Sequence, residues 1–122
     1  MNQAALKIVQ DWYRTGDPAL LSAEIEWQVL ESFPSGGLYR GRDDVMERFF
    51  PSVKANFASY ETCPTEFLAD GEIVVATGLY RVRGKSGTEV ETTFAHVWTV
   101  RDGVTAAFRQ IADTSAINAA RD

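Results

Sequence analysis

The chain has 122 residues, of which 45% are hydrophobic and 24% charged, and its formal net charge at pH 7 is −5. This length and composition predict one globular domain, residues 1–122, and exclude a disordered or collagen-like chain. The acidic balance argues against a nucleic-acid partner, and no apolar run reaches the ~20 residues of a membrane span. The single cysteine excludes an internal disulfide, and the absence of a secretory signal pattern predicts a cytoplasmic protein.

The amino-terminal segment predicts an amphipathic helix. Asn2 is placed as its N-cap and Gly16 as its C-terminal stop. Its apolar face is formed by residues at helical spacing, namely Leu6, Ile8, Val9, Trp12 and Tyr13. Asp17 and Pro18 then predict the N-cap and first turn of a short second helix that continues to Leu21.

A strand, a loop and a longer helix are predicted next. Residues 24–30 alternate between apolar and polar side chains, which is typical of a half-buried strand, and a glycine-rich loop follows over residues 34–41. Asp43 opens a helix, and Pro51 inside it is expected to kink or split it. The apolar stripe of this helix is formed by Met46, Phe49, Phe50, Val53 and Phe57.

From Tyr60 onward the hydrophobic pattern changes to a period of two. It predicts four strands at about residues 60–69, 72–83, 88–101 and 104–113. Asp70-Gly71 and Asp102-Gly103 are two-residue hairpin signals, and residues 84–87 form a longer turn. Helices followed by an antiparallel meander predict an α+β layer arrangement.

Three stretches carry motifs of a known family. They are IEW at residues 25–27 with PSGGLYRG at 34–41, FAHVWTVRDG at 94–103, and FRQIADT at 108–114. In this order the chain resembles the SnoaL-like branch of the nuclear-transport-factor-2-like and ketosteroid-isomerase-like superfamily. The resemblance implies a cone-shaped, strongly curved antiparallel sheet of cystatin-like type, wrapped around the N-terminal helices with a pocket inside. It also implies a homodimer that pairs through the outer face of the sheet.

The faces of the last hairpin can be assigned from its turn. A two-residue loop pairs Arg101 with Val104, and in a regular hairpin this places His96 opposite Arg109. We assign to the cavity the face that carries His96, Trp98, Arg109, Ile111 and Asp113. The other face is small or mildly apolar, with Thr93, Ala95, Val97, Thr99, Ala106, Phe108 and Gln110. It suits either the dimer surface that the resemblance implies or an ordinary sheet exterior.

Asp113 is the first catalytic candidate. A carboxylate at the end of a strand, among aromatic and aliphatic side chains, loses hydration and becomes a usable general base or acid near neutral pH. By resemblance it matches the aspartate that ends the last strand of SnoaL-type cyclases. Alternatively, Asp113 is the N-cap of a terminal helical turn.

His96, the only histidine, is the second catalytic candidate. A neutral imidazole takes or gives a proton near pH 7, and by resemblance His96 is the histidine of the family's strand motif. Alternatively, it is a core histidine bonded to the backbone or to Arg109. Asp113 lies four residues beyond Arg109, roughly 13 Å along the strand, so we expect no direct pair between His96 and Asp113.

The remaining candidates are substrate-binding residues. Arg109 is placed to receive an anionic or enolate oxygen, or else to pair across the strands with Glu89, Glu91 or another acid at the pocket edge. Aromatic side chains, together with Ile111, are expected to line the cavity, or else to form plain core: Trp12, Trp27, Tyr39, Phe49, Phe50 and Trp98. Three tyrosines are further phenolic donors with no order of preference among them: Tyr13, Tyr60 and Tyr80.

The function predicted from the sequence is proton transfer without a cofactor. No phosphate loop, dinucleotide fingerprint or metal-ligand cluster is present, so we expect neither cofactor nor metal. The early strand has Trp27 and Gln28 near the position of the steroid-isomerase base, so that mechanism is not carried over. We expect a cyclase, isomerase or lyase acting next to a carbonyl of a small hydrophobic or polycyclic molecule. The alternatives are a non-catalytic small-molecule-binding protein and a dimeric interaction module of the same fold.

Overall fold

The computed structural model describes residues 3–121, and of Gln3 only the backbone, so the predicted cap Asn2 lies outside the described residues. The helical elements are α1 (Gln3–Thr15), a short 3₁₀ helix (Pro18–Leu20), α2 (Arg42–Asp44), a π-helical turn (Val45–Phe49), α3 (Phe50–Lys54) and α4 (Thr114–Ala119). The strands are β1 (Leu21–Val29), β2 (Gly37–Arg40), β3 (Ser59–Asp70), β4 (Ile73–Arg83), β5 (Glu89–Arg101) and β6 (Val104–Ala112). No helix in this part of the chain combines the length and the apolar character that crossing a bilayer requires.

The six strands form one curved, unclosed mixed sheet in the order β2-β1-β6-β5-β4-β3. All neighbouring strands are antiparallel except β1 and β6, which are parallel. The predicted α+β arrangement, with residues 24–30 joining a mostly antiparallel curved sheet, is therefore confirmed. The meander β3 to β6 ends beside β1, so the last strand of the chain connects the first strand to the rest of the sheet.

The edge strand β2 lies in the segment that the sequence predicts to be a loop. It pairs with β1, with Tyr39 opposite Trp27. The turn before it places Ser35 at φ 62°, and the Tyr39 hydroxyl donates a hydrogen bond to the Ser35 carbonyl at 2.6 Å. Four residues with one buried side chain are too short to show a period-two pattern, which is why the strand was not predicted.

The segment predicted as a kinked helix contains one widened turn. The Phe50 N–H bonds to the carbonyl of Val45, five residues earlier, instead of four. Pro51 follows immediately; it has no N–H, and in a regular α-helix its ring clashes with the carbonyl four residues back. The widened turn therefore lets the chain continue as α3 past the proline. The helix ends at Lys54, so Phe57, predicted on its stripe, lies beyond it but is still buried.

A bulge interrupts the hairpin of β5 and β6. Arg101 pairs with Val104 as predicted, and Val100 pairs with Thr105. The next pair is Thr99 with Ala107, so one residue of β6 has no partner on β5 at this point. Every residue of β6 after the bulge therefore lies on the opposite face from the one predicted for a regular hairpin.

This register corrects the predicted faces. His96 pairs with Gln110 instead of Arg109. Phe108 and Gln110, predicted on the outer face, are buried on the inner face, whereas Arg109 and Ile111 are exposed on the outside. The prediction that Arg109 and Ile111 share the cavity face with His96 is wrong. Side chains of β6 do alternate between the two faces, but the bulge reverses which of them face the cavity.

Aromatic side chains pack between the concave face of the sheet and the helices. Trp27 of β1 stacks on Phe108 with ring centroids 3.9 Å apart and meets Trp98 edge-on at 5.6 Å. Trp12 of α1 lies edge-on to both tryptophans, at 6.2 and 6.3 Å. All of these residues are buried, so aromatic contacts, together with the buried Ala5 and Val9, hold α1 against the sheet.

Candidate functional site

A cavity of about 550 Å³ lies between α1, the helical segment 42–54 and the concave face of the sheet. Its wall is mainly aromatic and includes Trp12, Trp27, Phe49, Phe50, Trp98 and Phe108. The charged side chains on its wall are those of Lys54 and Glu61, and both residues are exposed. Asp, Glu, Lys and Arg on this wall are therefore confined to exposed positions, and its buried part is aromatic with a few uncharged polar groups.

The structure places five of the six predicted aromatic residues on the cavity wall: Trp12, Trp27, Phe49, Phe50 and Trp98. The sixth, Tyr39, is buried behind the wall, where its ring lies 5.2 Å from that of Phe49. Tyr39 therefore belongs to the core, the alternative that the sequence left open for these side chains.

His96 is buried at the cavity wall between two tyrosine hydroxyls. Its Nδ1 lies 2.5 Å from the Tyr13 hydroxyl, and its Nε2 lies 2.6 Å from the Tyr80 hydroxyl. The ring of Phe94 stacks on the imidazole at 3.9 Å. Both ring nitrogens are occupied, and the imidazole plane is fixed by the stacked phenyl ring. The predicted alternative of a bond to Arg109 is wrong, because that side chain is on the other face of the sheet.

Two N–H groups continue the hydrogen bonds outward from the tyrosines. The Trp98 indole N–H donates to the Tyr13 oxygen at 2.9 Å, and the Gln110 amide donates to the Tyr80 oxygen at 2.9 Å. The Leu30 N–H donates to Gln110 Oε1 at 3.4 Å, which orients the amide so that its nitrogen faces Tyr80. We call Trp98, Tyr13, His96, Tyr80 and Gln110 the polar row.

Burial keeps the polar row uncharged. Desolvation holds the pKa of His96 well below its ordinary value. Desolvation also raises the pKa of Tyr13, with the Trp98 hydrogen bond opposing it, and raises the pKa of Tyr80. At neutral pH the imidazole is therefore neutral and both phenols are protonated.

Asp113 does not reach the cavity. It is exposed, and as the N-cap of α4 it accepts hydrogen bonds from the N–H groups of Ser115 at 3.1 Å and Ala116 at 3.4 Å. The prediction that Asp113 shares the cavity face with His96 is wrong, and the alternative of an N-cap is correct. The reason is local: the strand ends at Ala112, and an aspartate before a helical turn satisfies N–H groups that have no other partner.

Arg109 and Ile111 lie on the outer face, with Arg109 opposite Val97 and Ile111 49% exposed. The predicted ion pairs of Arg109 do not form. Glu91 pairs with Arg81 at 2.7 Å and Glu89 with Arg83 at 3.5 Å.

Phe108 and Gln110 line the cavity although the sequence analysis placed them on the outer face, and the arginine between them was an available signal. Placing β6 in the predicted phase buries Arg109 in an aromatic cavity without a carboxylate beside it. That is far costlier than burying Gln110, whose amide finds partners. Of the three tyrosines left unranked, Tyr13 and Tyr80 contact His96 directly.

A family model for the SnoaL-like domain matches residues 10–108. The chain belongs to the SnoaL-like domain family. This family shares its fold with polyketide cyclases and isomerases. A search among curated proteins finds no match for the chain.

Solved structures share the SnoaL-like fold over nearly the whole chain. A nuclear-transport-factor-2-like protein of unknown function from Burkholderia pseudomallei is 25% identical, with a TM-score of 0.88 and 97% of each chain covered. A nuclear-transport-factor-2-like protein from Burkholderia thailandensis is 27% identical, with a TM-score of 0.87 and 95% of each chain covered. A protein with a ketosteroid isomerase-like fold from Catenulispora acidiphila is 16% identical (TM-score 0.79; 93% of this chain and 91% of that chain covered) and shows the fold alone.

The geometry offers a ligand oxygen the hydroxyl of the half-buried Tyr13, which is held by His96 and Trp98. The Trp27 indole N–H belongs to a side chain that also lines the cavity, but the N–H itself is fully buried and has no hydrogen-bond partner among residues 3–121. Neutral, pre-oriented donors in an apolar setting stabilise a carbonyl oxygen and the negative charge that develops on it during enolisation.

Proposed function

We propose that the protein binds a flat, mostly apolar molecule with a carbonyl or enol oxygen, and promotes proton transfer next to that carbonyl. The observation that carries the proposal is the aromatic cavity whose polar groups converge on His96. Its volume of about 550 Å³ is in the range of small-molecule sites. Kinship with a fold family that includes cyclases and isomerases supports the same reaction type.

The wall selects for planar, uncharged ligands. Trp12, Phe50 and Trp98 present ring faces and edges at different tilts, and such rings gain most from contact with a flat hydrocarbon surface. An ionic group placed among them would lose its hydration without gaining a buried counter-charge. The ligand class is therefore a small hydrophobic or polycyclic molecule.

Tyr13 is the group that we assign to the ligand oxygen. Its phenol is neutral, and it receives the Trp98 N–H and lies 2.5 Å from His96, so its position is fixed before a ligand arrives. With solvent water taking up the proton, donation from this hydroxyl to a carbonyl lowers the barrier to removing a neighbouring carbon-bound proton. His96 and Trp98 act as positioning residues for Tyr13. Aldol cyclisation, isomerisation and related lyase steps all pass through such an enol or enolate.

A second candidate function is binding without turnover. Within residues 3–121 the cavity wall has one carboxylate, Glu61, and it is exposed. Because Asp113 faces solvent, the aspartate that the sequence offered as a base is not available inside the cavity. A binding protein needs no carbon base, and this observation is the one that supports the second candidate.

Deuterium exchange distinguishes the two functions. The flat bicyclic ketone 2-tetralone is incubated with the protein in D₂O, and loss of its α-hydrogen signals is followed by proton NMR. Binding is followed separately by tryptophan fluorescence, since all three tryptophans line the cavity. We expect exchange faster than in buffer, and a roughly 100-fold slower protein-dependent rate in Tyr13→Phe with binding kept within a few-fold.

Tyr39→Phe is the matched control, because it removes a buried tyrosine hydroxyl outside the cavity. It should leave exchange unchanged. Binding of the ketone with exchange only at the buffer rate contradicts catalysis and supports the binding protein. Absence of binding contradicts both functions.

A further inference from the structure

The polar row has one more hydrogen than its internal bonds use. A neutral His96 has one ring N–H, and Tyr13 and Tyr80 have one O–H each, which makes three hydrogens. The contacts at Nδ1 and Nε2 use two of them. Trp98 and Gln110 only donate into the row from its two ends. One hydroxyl hydrogen is therefore left over.

The histidine tautomer decides which tyrosine has this hydrogen. If Nδ1 is protonated, it donates to Tyr13, Tyr80 donates to Nε2, and the Tyr13 hydrogen is unused. If Nε2 is protonated, it donates to Tyr80 and Tyr13 donates to Nδ1. Tyr13 then offers a ligand only a lone pair, and the unused hydrogen is on Tyr80. Both arrangements have the same hydrogens and no net charge.

The two ends of the row differ in access. Tyr13 is half-buried at the cavity, whereas Tyr80 is 2% exposed. The Tyr80 hydroxyl is bonded to His96 and Gln110, and the Tyr80 ring stacks on that of Tyr60 with centroids 5.5 Å apart. A ligand therefore reaches the row at Tyr13.

We propose that the polar row is a tautomer switch, through which Tyr13 donates to a carbonyl oxygen in one state and accepts from an enol hydroxyl in the other. This inference rests on the proposed function and names its substrate class: a flat ketone whose enol form is itself stable, such as a cyclic 1,3-dicarbonyl or a hydroxylated quinone. The keto and enol forms of such a compound place an acceptor and a donor at the same position, and the row satisfies both without gaining charge.

Nitrogen NMR tests the switch directly, because His96 is the only histidine and its two ring nitrogens are reported without overlap. The protein, labelled with ¹⁵N-histidine, is titrated with two bicyclic probes of similar size. 1-Indanone only accepts hydrogen bonds, and indole only donates them. We expect 1-indanone to raise the ratio of Nδ1-protonated to Nε2-protonated imidazole about fivefold, and indole to lower it by a similar factor.

Tyr13→Phe removes the hydroxyl through which a ligand contacts the polar row. Neither probe should then change the ratio of Nδ1-protonated to Nε2-protonated imidazole. Tryptophan fluorescence shows whether both probes bind the unmodified protein. If both bind and the ratio stays constant, or changes in the same direction with both, the switch is overturned while the proposed binding function stands. If neither probe binds, the proposed function fails and the switch fails with it.

Discussion

At the residue scale, His96 links stability to pH. Burial holds its pKa well below 6.5 in the folded protein, while the unfolded chain regains a pKa of about 6.5. Below that pH the unfolded state binds a proton that the folded state does not. The free energy of unfolding is therefore fully retained above about pH 6.5 and falls as the pH drops below it, with a slope approaching about 1.4 kcal/mol per pH unit. Urea unfolding at pH 7.5 and 5.5 measures this loss.

His96→Gln is the matched variant for that measurement. Glutamine still offers one donor and one acceptor to Tyr13 and Tyr80, but it does not titrate. The variant should be less stable at pH 7.5 and lose less stability on going to pH 5.5. No other histidine in the chain titrates in this window. An unchanged slope in the variant contradicts a neutral, buried His96.

Asp113 gives a second prediction at this scale. Asp113→Ala removes the acceptor for two N–H groups of α4 and should cost about 1 kcal/mol of unfolding free energy, whereas Asp113→Asn, which keeps a side-chain oxygen, should cost less. Neither variant should change 2-tetralone exchange or binding, because the side chain faces solvent. Loss of exchange with unchanged stability would instead support the catalytic role that the sequence suggested.

At the element scale, a bulge in a strand decides which side chains face the cavity, and the hydrophobic period does not show where a bulge lies. Alternation in β6 was visible in the sequence, but one extra residue near Thr99 and Ala107 inverted its phase. That residue is Ala106, in a run of small side chains that has no bulge signature of its own. Turn signals were easier, because positive φ at a turn restricts the residues found there. Asp102-Gly103 separates β5 from β6 where expected, and the loop between β3 and β4 is Gly71-Glu72, one residue later than the predicted Asp70-Gly71.

A second irregularity is the register shift of β3 against β4 between Pro64 and Glu66, and Gly78 of β4 lies beside it. A Cβ added at Gly78 would collide with the Cys63 carbonyl oxygen and lie 2.7 Å from the Pro64 Cα. Both are backbone atoms, so Gly78→Ala should lower the unfolding free energy by about 1–3 kcal/mol. Thr77→Ala, one residue earlier on the outer face, is the matched control and should cost clearly less. Equal costs in chemical denaturation would contradict the close approach.

At the scale of the whole molecule, the fold could be predicted better than the site. The order of helices, turns and period-two segments is a local property, and it led to the correct α+β arrangement; the curvature of the sheet was implied by the family resemblance. The polar row depends on tertiary contacts instead: Tyr13 and His96 are 83 residues apart, and Gln110 reaches Tyr80 only because the bulge turns it inward. Sequence spacing identifies the donors available for such a row but not which of them meet.

The exposed apolar residues on the outer face of the sheet predict a homodimer. Leu68, Val75, Val97 and Arg109 form one row across β3 to β6 on this face, and Leu68 is 72% exposed. Ile73 and Ile111, on the same face, are 39% and 49% exposed, so an apolar area remains that a second copy would remove from water. Phe108, which the predicted phase placed here, is buried inside and is not part of this surface.

Sedimentation tests the homodimer. The unmodified protein should sediment at twice 13.5 kDa, and Val75→Glu combined with Val97→Glu should shift it towards 13.5 kDa, because two facing carboxylates in each subunit then have to be desolvated. Gln10→Glu, on the exposed side of α1, adds charge away from this face and should leave the dimer intact. Circular dichroism verifies that the double variant remains folded. An unmodified protein that sediments at 13.5 kDa at high concentration contradicts the prediction, and so does a folded double variant that stays dimeric.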